Sequence, residues 1–307
     1  MKKPIRAAGA PLLVLCAFIW GSAFVAQSHG GDMGDMTFNA LRSFIGCAAL
    51  AVTLLLRKLF RRRRPDYRPT ERSVLLRSIK GGLLCGSVLA VSSLFQQIGI
   101  GHTTVGNAGF ITALYILIVP ILQQLGGKRA GWQLWCCVAV AVAGLFLLTV
   151  DPEEGVSMGL GDLLVLCCAV CFSCHILLVA RFGDTDGLLL SCVQFLTAGT
   201  LSSLALLCIG IPLLHEAPTF AGILDGWFPL VYAGVLSSGV AYTLQIFGQK
   251  YTPPTLASLL MSLESVFALL TAIVIDGEWP NSPLKWIGSG LMFAAILAAQ
   301  IPRKKAR

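Results

Sequence analysis

The chain has 307 residues, of which 56% are hydrophobic and only 12% charged, with a formal net charge of +8. Charges this sparse between long apolar stretches leave no room for a soluble domain, and no phosphate-binding Gly-x-x-x-x-Gly-Lys-Ser/Thr motif is present, which excludes direct drive by ATP. The positive balance does not point to nucleic acid, because membrane topology already accounts for it.

A hydrocarbon core about 30 Å thick needs roughly 20 apolar residues at 1.5 Å per residue. Ten segments reach that length: Ala8–Gln27, Thr37–Leu56, Val74–Gln97, Thr103–Leu125, Trp132–Val150, Leu160–Ala180, Gly187–Cys208, Trp227–Phe247, Pro254–Ile275 and Leu284–Ile301. They predict an all-α integral membrane protein with ten transmembrane helices. The first segment exceeds the apolar region of a signal peptide and nine more follow it, so it reads as a retained span.

Of 23 Lys and Arg, 21 fall in every second gap between these segments, in groups headed by Lys2, Arg57, Lys128, Arg181, Lys250 and Arg303. The other gaps hold Asp32, Asp35, Asp151, Glu153, Glu154, Glu216, Asp225, Asp276 and Glu278, with Lys285 their single base. Cytoplasmic loops collect Lys and Arg, so both termini are expected in the cytoplasm of a multi-pass plasma (inner) membrane protein. The run Arg61–Arg64 adds contact with anionic headgroups, which makes membrane lipids expected partners and nucleic acid not. The 11 cysteines lie within apolar segments and read as reduced packing residues.

The chain also repeats itself. Leu12-Leu13-Val14-Leu15-Cys16 recurs as Leu163-Leu164-Val165-Leu166-Cys167. At a spacing of 149 residues, Val91, Gln96, Gly99, Thr103, Ala108 and Leu114 meet Val240, Gln245, Gly248, Thr252, Ala257 and Leu263. The two matches divide the chain into five plus five segments, 8–150 and 160–302, with the acidic turn Asp151–Gly155 between them. Five is odd, so the second half starts on the opposite side of the membrane. Inverted repeats of this kind characterise secondary transporters, in which one pattern in two orientations supports two states, one open to each side.

Several fragments carry a resemblance. They are Phe18-Ile19-Trp20-Gly21-Ser22-Ala23-Phe24; Phe38-Asn39-Ala40-Leu41-Arg42; Gly109-Phe110-Ile111-Thr112-Ala113-Leu114-Tyr115 with Val119-Pro120; and Ala241-Tyr242-Thr243-Leu244-Gln245 followed by Ala257-Ser258-Leu259-Leu260-Met261-Ser262-Leu263-Glu264. In this order and spacing, from about Leu12 to Ile301, the chain resembles the EamA-type proteins of the drug/metabolite transporter superfamily. That resemblance implies ten helices, a central cavity and export or uptake of small metabolites, often amino acids or their relatives. The chain departs from the family pattern at Ser265, where Pro is common, and at Cys171 and Phe172, where Trp is common.

Polar groups in hydrocarbon are costly, so each needs a partner or a wet cavity. Glu264 sits near the middle of the ninth segment, on a helical face expected to include Ala257, Leu260, Met261, Phe267, Ala268 and Thr271. It is either a substrate-amine ligand and candidate proton carrier or a hydrogen-bonded lock between helices. Ser238, Tyr242, Gln245 and Gln249 form a polar stripe in the eighth segment, which cannot face lipid cheaply. Tyr242 and Gln245 are read as cavity lining and Gln249 as interfacial. Gln96 is the repeat counterpart of Gln245, and Tyr115 that of Glu264, which puts Tyr115 on an opposite wall. Arg42, a turn inside the second segment, either attracts a substrate carboxylate or snorkels outward. Trp20, Phe24 and Gln27 share a face suited to packing or to an aromatic cavity wall. Cys167, Cys171 and Cys174 beside His175 read as packing, because one helix cannot build a tetrahedral metal cage.

The candidate substrate-binding set is therefore Glu264, Tyr242, Gln245, Tyr115, Trp20, Arg42 and Gln96, with no catalytic residue, metal or cofactor expected. The leading reading is a secondary transporter of small organic solutes working by alternating access. The rival is a polytopic membrane enzyme or a non-transporting assembly protein; the isolated histidines and the lack of paired interfacial acids speak against the enzyme. Small-residue helix faces are compatible with a homodimer and serve internal packing equally.

Overall fold

The structure is a computed structural model that describes residues 6–28, 33–62, 70–100, 102–103, 105–128, 131–149, 159–216, 218–275, 277, 279 and 282–301. The boundary turn Asp151–Gly155, both basic termini, Arg63, Arg64 and the side chains of Phe24 and Gln27 lie outside the described residues. Among the described residues the chain forms helical rods: α1 (Arg6–Ser28), α2 (Asp35–Arg62), α3 (Arg72–Ile100), α4 (Val105–Ala113 and Tyr115–Leu125), α5 (Trp132–Thr149), α6 (Leu160–Arg181), α7 (Gly187–Leu214), α8 (Trp227–Tyr251), α9 (Pro254–Met261 and Glu264–Ile275) and α10 (Pro283–Gln300).

Among the described residues, seven helices are long and apolar enough to cross a membrane: α2, α3, the Ala108–Leu125 part of α4, and α6 to α9. The apolar stretches Gly9–Ala23 in α1 and Trp132–Leu148 in α5 are shorter. Large apolar side chains such as Phe60, Leu125, Phe146, Leu204 and Val274 stay exposed on the outside of the bundle, as helices surrounded by lipid tails require.

Basic side chains gather at one end. There Arg57 donates to Asp186 (Nη1 to Oδ1, 2.9 Å) and Arg77 pairs with Asp184 at 2.8 Å, with Arg181 and Lys250 alongside. The opposite end is acidic. Glu216 accepts from the Thr37 amide at 2.8 Å and the Thr37 hydroxyl at 2.6 Å, capping α2 from the far half of the chain. His215 (φ +53°) turns the backbone into the left-handed region just before it. Asp162, in the first turn of α6, accepts from the Gly159 amide at 2.8 Å and from the Thr103 hydroxyl. A carboxylate at each helix start satisfies orphan amides and complements the helix dipole.

The packing repeats when the two halves are exchanged. α3 lies on α6 and α7, and α8 lies on α1 and α2; α1 meets α9 as α6 meets α4; α5 pairs with α10 and α2 with α7. Glycines set the register of these crossings. Gly9 of α1 abuts Gly248 and Tyr251 of α8, just as Gly161 of α6 abuts Gly99 and His102. Gly234 of α8 abuts Ile45 and the Arg42 carbonyl, just as Gly86 of α3 abuts Thr197 and the Gln194 carbonyl. Gly9 therefore corresponds to Gly161 and Leu13 to Val165, one residue away from the register of the Leu12–Cys16 match. Short apolar runs align by composition at more than one register, and backbone contact decides between them. A π-helical stretch in α8, Tyr232–Ala241, takes up one extra residue, so that Gly86 matches Gly234 near its start and Gly99 matches Gly248 after it.

At the α5–α10 crossing a side chain on Gly288 would collide with the Gly144 carbonyl. Gly288→Val is expected to cost about 1–3 kcal/mol by overpacking and to lower the melting temperature in detergent. Although burial pushes the Asp186 carboxyl up, its hydrogen bonds and charge interaction with Arg57 outweigh this and hold it below the usual carboxylate range. A carboxyl depressed on folding contributes stability above its unfolded pKa of about 4, and that contribution is lost as pH falls through the folded value. The melting temperature of Asp186→Asn is thus expected to lie below the wild type at neutral pH, by roughly 1 kcal/mol of stability, and the two to converge in acid.

Candidate functional site

Two helices break at the centre of the bundle. In α4 the break falls at Leu114, whose amide reaches Ile111 rather than the carbonyl four residues back (3.2 Å); in α9 it falls at Ser262 and Leu263, and the Leu263 amide likewise reaches Leu260 (3.4 Å). These are repeat-equivalent positions. The continuous Glu264 face expected from sequence is accordingly interrupted, and Glu264 opens the second half of α9 instead of standing mid-helix. Local i to i−3 bonds tighten the turn, and broken helices are tolerated in a membrane only where neighbours or water take up the freed backbone groups.

Just past each break comes a polar side chain, Tyr115 on α4 and Glu264 on α9. The Tyr115 hydroxyl donates to Glu264 Oε1 at 2.9 Å, and the residues are 0% and 6% exposed. The two counterparts thus meet each other. Around them stands an aromatic group: Trp20 is edge-on to Tyr242 (centroids 4.8 Å) and to Phe172 (5.8 Å), and Tyr115 is tilted against Phe172 (5.6 Å).

A narrow cavity of about 70 Å³ begins at this group and runs toward the acidic end. Trp20, Arg42, Gln96, Tyr242 and Glu264 all line it. Arg42 donates from Nε to Asn39 Oδ1 at 2.9 Å and lies over Phe38, with no carboxylate partner among the described residues. The buried indole N–H of Trp20 likewise has no partner among them. Tyr115 stands behind the wall, holding Glu264. Gln245 is set apart: fully buried, off the cavity wall, with neither amide atom partnered among the described residues. Gln249, expected at the interface, is buried as well, because α1 crosses that end of α8 at Gly9 and Gly248.

Sequence reasoning missed Ser92, Ser93, Thr112, Phe172 and Ser237, which complete the wall with Ala23, Leu89 and Cys168. Ser92 and Ser93 lie four and three residues before Gln96, so helical spacing from Gln96 was a usable signal. His175 bonds Gln194 through Nε2 at 3.0 Å and stacks on Phe172, joining α6 to α7.

A helical bundle with exposed apolar flanks and a cavity lined by ionisable side chains at its centre is the architecture of a membrane transporter. The EamA-like transporter family model matches residues 7–150 and again 159–299, and the chain belongs to that family. It is 27% identical over 294 residues to an uncharacterized transporter of Archaeoglobus fulgidus, covering 94% of this chain and 84% of that protein. A solved crystal structure with 20% identity superposes with a TM-score of 0.76 over 96% of each chain, a likeness of fold.

The Tyr115–Glu264 bond joins two halves across a buried centre, where a hydrogen bond to an acid contributes more than at a surface. Tyr115→Phe and Glu264→Leu are each expected to destabilise the protein by about 1–3 kcal/mol, with the double variant costing clearly less than their sum. Thermal unfolding of the four proteins in detergent measures that coupling.

Proposed function

We propose that the protein is a secondary transporter that moves small organic solutes, amino acids or closely related compounds, across the plasma membrane by alternating access. The observation that carries this reading is the pairing of an acid and a base on one cavity wall. Arg42 offers a guanidinium with no carboxylate partner among the described residues and Glu264 a carboxyl, while Trp20, Phe172 and Tyr242 supply apolar surface beside them. A zwitterion suits such a site: its carboxylate to the fork of Arg42, its ammonium to Glu264, its side chain against the rings, with Gln96, Ser93 and the Trp20 N–H as further hydrogen-bonding groups.

The exchange-related packing supports a ten-helix, inverted five-plus-five arrangement, with 8–150 and 160–302 as the two units. Under the positive-inside rule the basic end is cytoplasmic, both termini lie there, and the cavity opens outward. Glu264 is the group placed to carry a proton, since it borders both the cavity and the closed half.

Counterflow of radiolabelled amino acids, with nucleosides and organic cations as comparison solutes, tests this in proteoliposomes. Arg42→Gln and Glu264→Gln are each expected to reduce amino-acid flux roughly ten- to a hundredfold, the loss of one charge-assisted hydrogen bond. Flux of none of these solutes above empty vesicles would reject the substrate reading. PH-dependent flux unchanged in Glu264→Gln would remove the proton role alone.

A further inference from the structure

The half of the bundle toward the basic end is sealed. Leu13, Cys16, Ile116, Val119, Leu260 and Met261 fill it without exposure. Yet this apolar seal contains polar groups that nothing in the site explains. His175 Nδ1, Gln194 Nε2 and both amide atoms of Gln245 are buried with no hydrogen-bond partner among the described residues. All three side chains are 0% exposed. A buried polar atom left unpaired costs free energy that a partner or water would restore, so three such residues in one sealed region call for a cause.

The exchange of halves supplies it. The glycine crossings that relate Gly9 to Gly161, Arg42 to Gln194 and Gly99 to Gly248 register α1, α2 and the end of α3 on α6, α7 and the end of α8, and the breaks at Leu114 and Leu263 register α4 on α9. Applied to the cavity wall, the exchange takes Trp20 to Phe172, Ala23 to His175, Arg42 to Gln194, Gln96 to Gln245 and Glu264 to Tyr115. Gln249 and Thr252 are also buried and unpartnered among the described residues, but they line the basic end itself beside Lys250 and Tyr251. The three deeper in the seal, His175, Gln194 and Gln245, are the counterparts of three residues on the wall of the open cavity.

We infer that His175, Gln194 and Gln245 line a second solute-binding chamber, closed in this structure, which opens toward the basic end when the halves rock. The inference rests on the alternating-access reading above. It adds the wall of the opposite state and its chemistry. Where the open cavity presents a guanidinium, the second chamber presents the amide of Gln194. Where the open cavity has a methyl group, the second has the imidazole of His175. The second chamber thus holds a polar solute by an imidazole and two amides, with no counterpart to the Arg42 charge. Water or solute entering it satisfies the orphaned atoms, so hydration favours the state that the packing here shuts out.

The experiment uses the full chain in proteoliposomes, a membrane-impermeant sulfonated maleimide applied from each face, and peptide mass spectrometry to locate the label. Gln245→Cys is expected to label from the basic face and Gln96→Cys from the acidic face. Ile246→Cys is the control: it is equally buried, but its counterpart Gln97 stays off the cavity wall. Gln245→Cys is expected to label about tenfold faster than Ile246→Cys, as a transiently open state requires. In the unsubstituted chain, carbethoxylation of His175 by diethyl pyrocarbonate reports the same opening without depending on how the variants fold. Silence at both His175 and Gln245→Cys in vesicles that move solute would overturn the second chamber and leave the transport reading standing. Reaction at both positions without solute flux would support the chamber and reject transport. Silence together with absent flux would reject both, and equal labelling of Ile246→Cys would overturn the chamber by showing general loosening.

Discussion

The bundle is organised around a hydrogen bond between two residues that are each other's repeat counterparts. Tyr115 and Glu264 meet where α4 and α9 break, in a region with no bulk water to substitute for either partner. A carboxyl in such a place is tolerated because a hydroxyl from the other half holds it and a cavity touches it from one side. The breaks let both side chains leave their helices at the same depth. The aromatic group then encloses the pair, and the polar walls extend away from it.

Much of the architecture is legible without coordinates. Apolar length and alternating charge mark the helices and the two ends of the bundle, since both follow from what hydrocarbon and headgroups accept. The relation of Gln96 to Gln245 and of Tyr115 to Glu264 is also visible as spacing, and contacts elsewhere in the fold follow it. Other features are not written in periodicity. The Leu12–Cys16 match sits one residue off the packed register, because apolar runs are nearly interchangeable and only glycine crossings discriminate. The breaks at Leu114 and Ser262 lack a local Gly or Pro signal; they are stabilised by what they face.

The candidate site shows the same division. Polarity in a membrane segment singles out Arg42, Gln96, Tyr242 and Glu264, and the structure gathers them with Trp20 around one cavity. Gln245 has equal polarity and lies elsewhere, fully buried off the cavity wall. Under the second-chamber inference above, a sequence lists the residues of both states together, whereas one structure separates them. The serines beside Gln96 escaped notice for a different reason: small hydroxyls are common packing residues in membrane helices, where they bond their own backbone, as Ser87 and Thr200 do here.

The π-helical stretch of α8 has a consequence for energetics. One unit carries an additional backbone residue between its glycine crossings and the other does not, so swapping their roles cannot reproduce the same set of contacts. Under the alternating-access reading proposed above, the two access poses are therefore unequal in free energy even with no cargo aboard, and the insertion in one helix contributes to their ratio.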